Sequence, residues 1–224
     1  MHYSKLEYFV SQPRLDRFLQ ACDNSKSKAQ ELYRVNLRVS QAFYPVLNHF
    51  EISLRNILNY KISGYFSDPN WIINQKNGFM NHDSLQSSRY FLKNSVLSSE
   101  RTIRRKGGSI SSGKVIAEQS LSFWTSLFDV HHYRLIGGVP IQCFNLKPKN
   151  ENRSSISQKL NRIRTFRNRI YHNEPICFNA NRIDFQQALQ IQSDIYLLLG
   201  WIDVELVQYV QSFDSINSRI KNLN

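Results

Sequence analysis

The sequence predicts an all-α fold, a helical bundle with loop-rich insertions. Apolar residues recur at steps of three and four, most plainly at Leu32, Val35, Val39, Phe43, Val46, Phe50, Leu54, Ile57 and Leu58. No segment alternates apolar and polar residues convincingly enough to read as a strand. No internal period of about 20–50 residues suggests a repeat array. At 224 residues the chain is long enough to bury one core, so residues 1–224 are read as one domain with a flexible basic segment around 101–114.

A short helix spans roughly Pro13 to Ala21. The long apolar periodicity then predicts a helix from Lys26 to Phe66, with Asn24 or Ser25 available as its cap. Pro45 lies inside this run; it removes a backbone donor and either kinks the helix or splits it. Asn74 to Asn81 reads as loop, His82 to about Lys106 as helix, and Gly107 to Gly113 as a flexible break. Val115 to Val130 reads as helix and His131 to Asn152 as irregular. Ser154 or Ser155 opens a helix that reaches His172 and stops at Asn173-Glu174-Pro175, because proline disfavours helix at the residue before it. Asp184 to about Leu199 and Asp203 to about Ile220 complete the set, each with an aspartate suited to a helix N-terminus.

Composition removes several classes. The longest apolar run, Ile195 to Ile202, is far short of the ~20 residues a membrane span needs. The first residues lack a charged start followed by an apolar stretch, so no secretory signal is expected. Cys22, Cys143 and Cys177 are odd in number, far apart and without a Cys-x-x-Cys, which favours neither a disulfide framework nor a zinc knuckle. A reducing cytoplasm is the expected location, with no membrane partner and no cofactor.

The net charge of +12 points to an anionic partner. It is concentrated in two windows. Arg153 to His172 holds six bases and no acid, and Arg89 to Lys114 holds seven bases against Glu100; the rest of the chain is neutral. The second window, with Arg101, Arg104, Arg105 and Lys106 beside a Gly/Ser loop, reads as an RNA-contacting arm that grips phosphates with little sequence choice.

The first window carries chemistry. Arg162, Arg164, Arg167 and Arg169 crowd into eight residues, and Asn168 and His172 lie one turn apart on a helix. Arg167 precedes His172 by five residues, ~140° round an ideal helix. The two therefore do not simply stack, but they can line one wide cleft or meet across an interface. A histidine moves protons near neutral pH. An arginine binds phosphate through two parallel hydrogen bonds and stabilises charge growing on it. Together they suit metal-free RNA cleavage, in which a 2′-hydroxyl attacks the adjacent phosphate. Asn168 can orient either group. The competing reading is a solvated arginine-rich face with a histidine at a helix end.

The stretch Arg164-Thr165-Phe166-Arg167-Asn168-Arg169-Ile170-Tyr171-His172-Asn173-Glu174-Pro175-Ile176 resembles the signature of Abi-like (abortive infection) proteins of the HEPN superfamily. Their hallmark is an Arg, usually followed by a polar residue, then a His after four to six intervening residues; Arg167, Asn168 and His172 match it. Leu37 to Leu47 followed by Phe50 to Asn56, and Leu121 to Phe128, also resemble that family, in the family's order. The resemblance implies a HEPN core, often a homodimer joining two Arg/His pairs in one composite cleft. It further implies a metal-independent endoribonuclease in phage defence or a toxin system, for which a phage trigger or a cognate inhibitor is a candidate partner that the sequence leaves open. On this reading His172 is general base or acid, Arg167 binds the scissile phosphate, Asn168 orients, and Arg162, Arg164 and Arg169 add RNA contacts. A non-catalytic RNA-binding module and a phage-sensing interaction protein are the alternatives.

Glu51 and Arg55 sit four apart in the long helix, within a polar stripe of Asn48, Glu51, Arg55 and Asn59. They form either an ordinary intrahelical ion pair or a support in which Glu51 accepts from an active-site Arg or His. A buried polar stripe needs partners, and the Arg167/His172 helix can supply them. Phe123 and Trp124 read as core rather than base-stacking platforms. His131-His132 is no metal pair, since adjacent side chains diverge and no carboxylate or cysteine cluster accompanies them. His49, His82, Ser122 and Cys143 lack any partner pattern.

Overall fold

The structure, a computed structural model, describes residues 1–180 and 182–221. It is 73% helix and 2% strand, so the all-α expectation holds. Helices α1 (Tyr3–Val10), α2 (Gln12–Ala21), α3 (Lys26–Phe66), α4 (Trp71–Asn74), α5 (Phe91–Arg105) and α6 (Ser112–Ala117) form the first half. Then follow α7 (Leu121–Ser126), α8 (Val130–Leu135), α9 (Arg153–Tyr171), α10 (Gln186–Ile202), α11 (Val204–Gln211) and α12 (Ile216–Lys221). Three 3₁₀ segments intervene, at Phe79–Asn81, Asp83–Ser88 and Val139–Cys143. Strands β1 (Phe178–Asn179) and β2 (Arg182–Ile183) form a two-residue antiparallel pair that the sequence patterning did not suggest.

Helix α3 is the axis. Its 41 residues span about 61 Å at 1.5 Å per residue, and α1, α2, α4, α7, α10, α12 and the segment Val139–Cys143 pack along it. Pro45 does not split it. The proline is exposed, as is Gln41, whose carbonyl would have accepted the missing N–H, so solvent can satisfy that oxygen. Val39, Phe43, Val46, Leu47, Phe50 and Leu54 stay buried straight through the proline. Phe43 meets Phe166 of α9 edge-on, with centroids 4.9 Å apart. Phe123 and Trp124 are fully buried, as expected, with Trp124 edge-on to Trp71.

The boundaries differ from the sequence reading where local backbone geometry overrides periodicity. The helix expected from His82 is a 3₁₀ segment broken at Arg89 and Tyr90, both with φ of 52°, before α5 begins. The helix expected over 115–130 is α6 and α7 separated at Glu118–Ser120, and the irregular stretch after it contains α8. The helix expected over 203–220 breaks between Gln211 and Ile216, where Asp214 accepts from Tyr196 and Gln192 of α10 and from the Ile216 backbone. The cap of α9 is Asn152; Ser155 completes the capping box rather than opening the helix. Asp203 caps α11 as expected, whereas Asp184 lies just outside α10 and accepts from the Gln186 N–H.

The segment 101–114 consists of the end of α5, a turn, and the start of α6. Gly107 closes the turn with φ of 74°, and Lys114 Nζ folds back to the Ser109 carbonyl at 3.0 Å.

Candidate active site

Helix α9 is amphipathic, burying Ile156, Leu160, Ile163 and Phe166 against the core. The remaining positions carry the arginines. Arg167 is half-buried and turns towards α3, where its guanidinium meets the Glu51 carboxylate at 3.5 Å. The same guanidinium lies over the Tyr171 ring, 3.9 Å from its centroid, a cation–π contact between residues one helical turn apart. Its contact with Asn168 Oδ1 is long, at 3.5 Å. The Arg167 Nε is buried and has no hydrogen-bond partner among the described residues.

Glu51 therefore reaches across to α9. Its ion pair is with Arg167; none with Arg55 is formed within 4 Å among the described residues. Burial pushes its carboxyl above the ordinary range; Arg167, Arg55 and the Leu121 backbone at the start of α7 pull it back down. Arg55 stays half-buried and contacts Asn56 Oδ1 at 3.4 Å. The polar stripe is not one network: Asn59 accepts from the Trp71 indole at 2.8 Å, and Asn48 is exposed.

His172 is the C-cap residue of α9 and is exposed. Its backbone N–H donates to the Asn168 carbonyl at 2.9 Å. Its ring makes no hydrogen bond or ion pair among the described residues, with Arg167 or anything else. The chain beyond it is held firmly. Arg14 donates to the Asn173 carbonyl at 2.8 Å, Asn36 accepts from the Ile176 N–H at 2.8 Å, and Arg169 donates to the Pro175 carbonyl.

Two of the other arginines expected to contact RNA are engaged within the fold. Arg162 forms two hydrogen bonds, of 3.0 and 2.8 Å, to one oxygen of the buried Asp194. Arg169 is committed to Gln187 and Pro175, with Glu174 at 3.6 Å. Arg164 is half-buried; burial pushes the Asp129 carboxyl up, and the charges of His132, Arg164 and Arg153 oppose that push. In the other window Arg104 and Arg105 are exposed without partners among the described residues. Arg101 bonds the Leu97 carbonyl of its own helix, and Lys106 pairs with Glu118 at 2.8 Å.

Comparison with protein-family models, curated proteins and solved structures finds no match. The arrangement must be read from its own chemistry. A guanidinium, its carboxylate partner and a solvent-open imidazole lie on two adjoining helices. The arginine can take an anion if the carboxylate yields, and the imidazole can exchange protons with whatever binds. His132, by contrast, is buried: burial lowers its pKa, and its Nδ1 donates to the Ser126 carbonyl at 2.9 Å. Among the described residues no group of three or more His, Cys, Asp or Glu side chains could hold a metal ion. A cavity of about 1020 Å³ is lined by Asn56, Tyr60, Asn145, Leu206 and Tyr209 among others and includes none of these groups.

Two residues given no role from sequence adjoin this arrangement, Tyr171 under the Arg167 guanidinium and Tyr44 against Tyr171. Tyr44 of α3 and Tyr171 of α9 are exposed and face each other in a near-parallel pair, 6.2 Å between centroids and 28° between planes. The signal that could have found Tyr171 is its position four residues after Arg167.

Proposed function

We propose that the chain is a HEPN-type endoribonuclease of the Abi-like kind, working without a metal in phage defence or as a toxin. One observation carries this reading. The arginine of the Arg-Asn-x3-His motif is held half-buried by Glu51, while the histidine of the same motif is left open to solvent. A structural arginine could explain the first fact and a helix-end histidine the second. The ordered resemblance at three separate segments supports taking them together.

In the proposed reaction His172 takes the proton from a ribose 2′-hydroxyl, whose oxygen attacks the adjacent phosphorus. The bond to the 5′-oxygen breaks, and that oxygen receives a proton from a second acid. The products are a 2′,3′-cyclic phosphate and a 5′-hydroxyl. Arg167 exchanges Glu51 for the phosphate and stabilises its growing charge. One histidine handles one proton at a time, so the second acid is most simply the His172 of another copy in a composite homodimeric cleft.

The test is RNA degradation in EDTA by wild type, His172→Ala and Arg167→Ala. Removing a proton-transfer group lowers the rate by about 10²–10⁴-fold. Cleavage undiminished in both variants ends the catalytic reading. Tight, salt-sensitive RNA binding with no products by wild type favours the non-catalytic module instead.

A further inference from the structure

We propose that Tyr44, backed by Tyr171 whose ring carries the Arg167 guanidinium, offers a stacking face for an unpaired base of single-stranded RNA, near the arginine that takes its phosphate. The inference rests on the ribonuclease reading and names a side chain of that site that would hold a base.

Phe123 and Trp124, read from sequence as core rather than stacking aromatics, are fully buried. The exposed aromatics are elsewhere. Tyr44 is 54% exposed and Tyr171 46%. Two aromatic side-chain pairs among the described residues lie within 30° of parallel. One is Phe66 and Phe79, where Phe79 is buried. The other is Tyr44 and Tyr171. Tyr8 with Phe9, and Tyr209 with Phe213, meet edge-on instead and carry no cation on their rings.

The surroundings fit a nucleotide. Tyr44, Asn48, Glu51 and Arg55 recur at steps of four, three and four, so they share one face of α3. That face runs from an aromatic end to a charged end, with Arg167 reaching it from α9. Stacking on tyrosine is favourable for any base because every base has a π-face. The bases of a duplex are already stacked on one another, and the deep, narrow groove of A-form RNA keeps side chains from their edges. A platform of this kind therefore selects loops, bulges and single strands over helices.

The experiment uses the full chain carrying His172→Ala, which binds without cutting. It is titrated with a single-stranded oligoribonucleotide containing 2-aminopurine and with the duplex of the same sequence. The expected result is quenched fluorescence on binding the single strand. Tyr44→Ala should weaken that binding by about 5- to 150-fold, Tyr44→Phe should preserve it, and duplex binding should be the same in all three proteins. Equal single-strand binding by Tyr44→Ala, equal weakening towards both RNAs, or conversion of a dimer to a monomer by Tyr44→Ala overturns the platform; the last makes the surface a subunit contact. Separate cleavage assays keep the two readings distinct. Quenching without cleavage by the unsubstituted protein removes the nuclease and leaves the platform. Cleavage of single strands unaffected by Tyr44→Ala removes the platform and leaves the nuclease.

Discussion

The two basic windows carry equal net charge and spend it differently. In α9 the bases are largely absorbed by the fold: Arg153 donates to the Phe128 carbonyl at 2.7 Å, Lys159 pairs with Glu151 at 3.2 Å, and Arg162, Arg167 and Arg169 have the partners described above. At the end of α5, Arg104 and Arg105 project into solvent. A charge count therefore locates positive residues without locating an anion-binding surface. In α9 the question is which arginine can release its partner. At α5 Lys106 is likewise tied to Glu118, but Arg104 and Arg105 have no partner to release among the described residues, so their contacts are the weaker, salt-screened kind.

Four variants sharpen this contrast. The largest effect is expected at Arg167, whose replacement by Ala should lower RNA cleavage by about 10²–10³-fold. The near-native circular dichroism spectrum should persist, because the ion pair it breaks is partly solvated. Next is Arg162→Ala. It leaves the buried Asp194 without its cation and should cost about 1–3 kcal/mol, read as a lower urea midpoint at unchanged slope. If stability does not move while RNA affinity falls, Arg162 belongs to the binding surface and the contrast fails. Third, the double replacement Arg104→Ala/Arg105→Ala should change stability by less than about 0.5 kcal/mol. If both touch phosphates, it should also reduce the salt slope of single-stranded RNA binding by about 1.4. An unchanged slope would show that this segment is not an RNA-binding arm.

The smallest effect concerns Glu51. Its folded carboxyl titrates above the ordinary range, chiefly because of burial, so the folded state binds the extra proton first. Stability from this group is then greatest at low pH and falls as pH rises from the ordinary carboxylate range through the raised value. Wild type minus Glu51→Gln, followed by denaturant midpoints across that window, should show this downward trend. A rising difference would mean that Arg167 outweighs burial.

Much of the fold was legible because long amphipathic helices announce themselves. The 26–66 helix followed from residue spacing alone, and Pro45 misled only by leaving open a break that its exposed position makes unnecessary. The short elements were not legible. Arg89 and Tyr90 adopt left-handed backbone without glycine, and the Asp214 network breaks the last helix through contacts with residues about twenty positions away; neither is written in local periodicity. At the site, Glu51 was singled out as a residue that could reach α9, since a carboxylate on a buried face needs a cation, and its carboxylate meets Arg167. The fates of Arg162 and Arg169 were hidden because Asp194, Gln187 and Glu174 become their partners only after α10 and the 173–175 turn pack in place. Tyr44 was invisible because its neighbour Tyr171 is 127 positions away in the chain.

The pinning of the segment after His172 has a genetic consequence. Arg14, Asn36 and Arg169 hold the backbone at Asn173, Ile176 and Pro175 from three separate helices. A screen for inactive variants that still accumulate in the cell should return these positions alongside Arg167 and His172. Scattered across the sequence, they would look like unrelated hits, yet they converge on one short stretch of chain and the freedom of one imidazole.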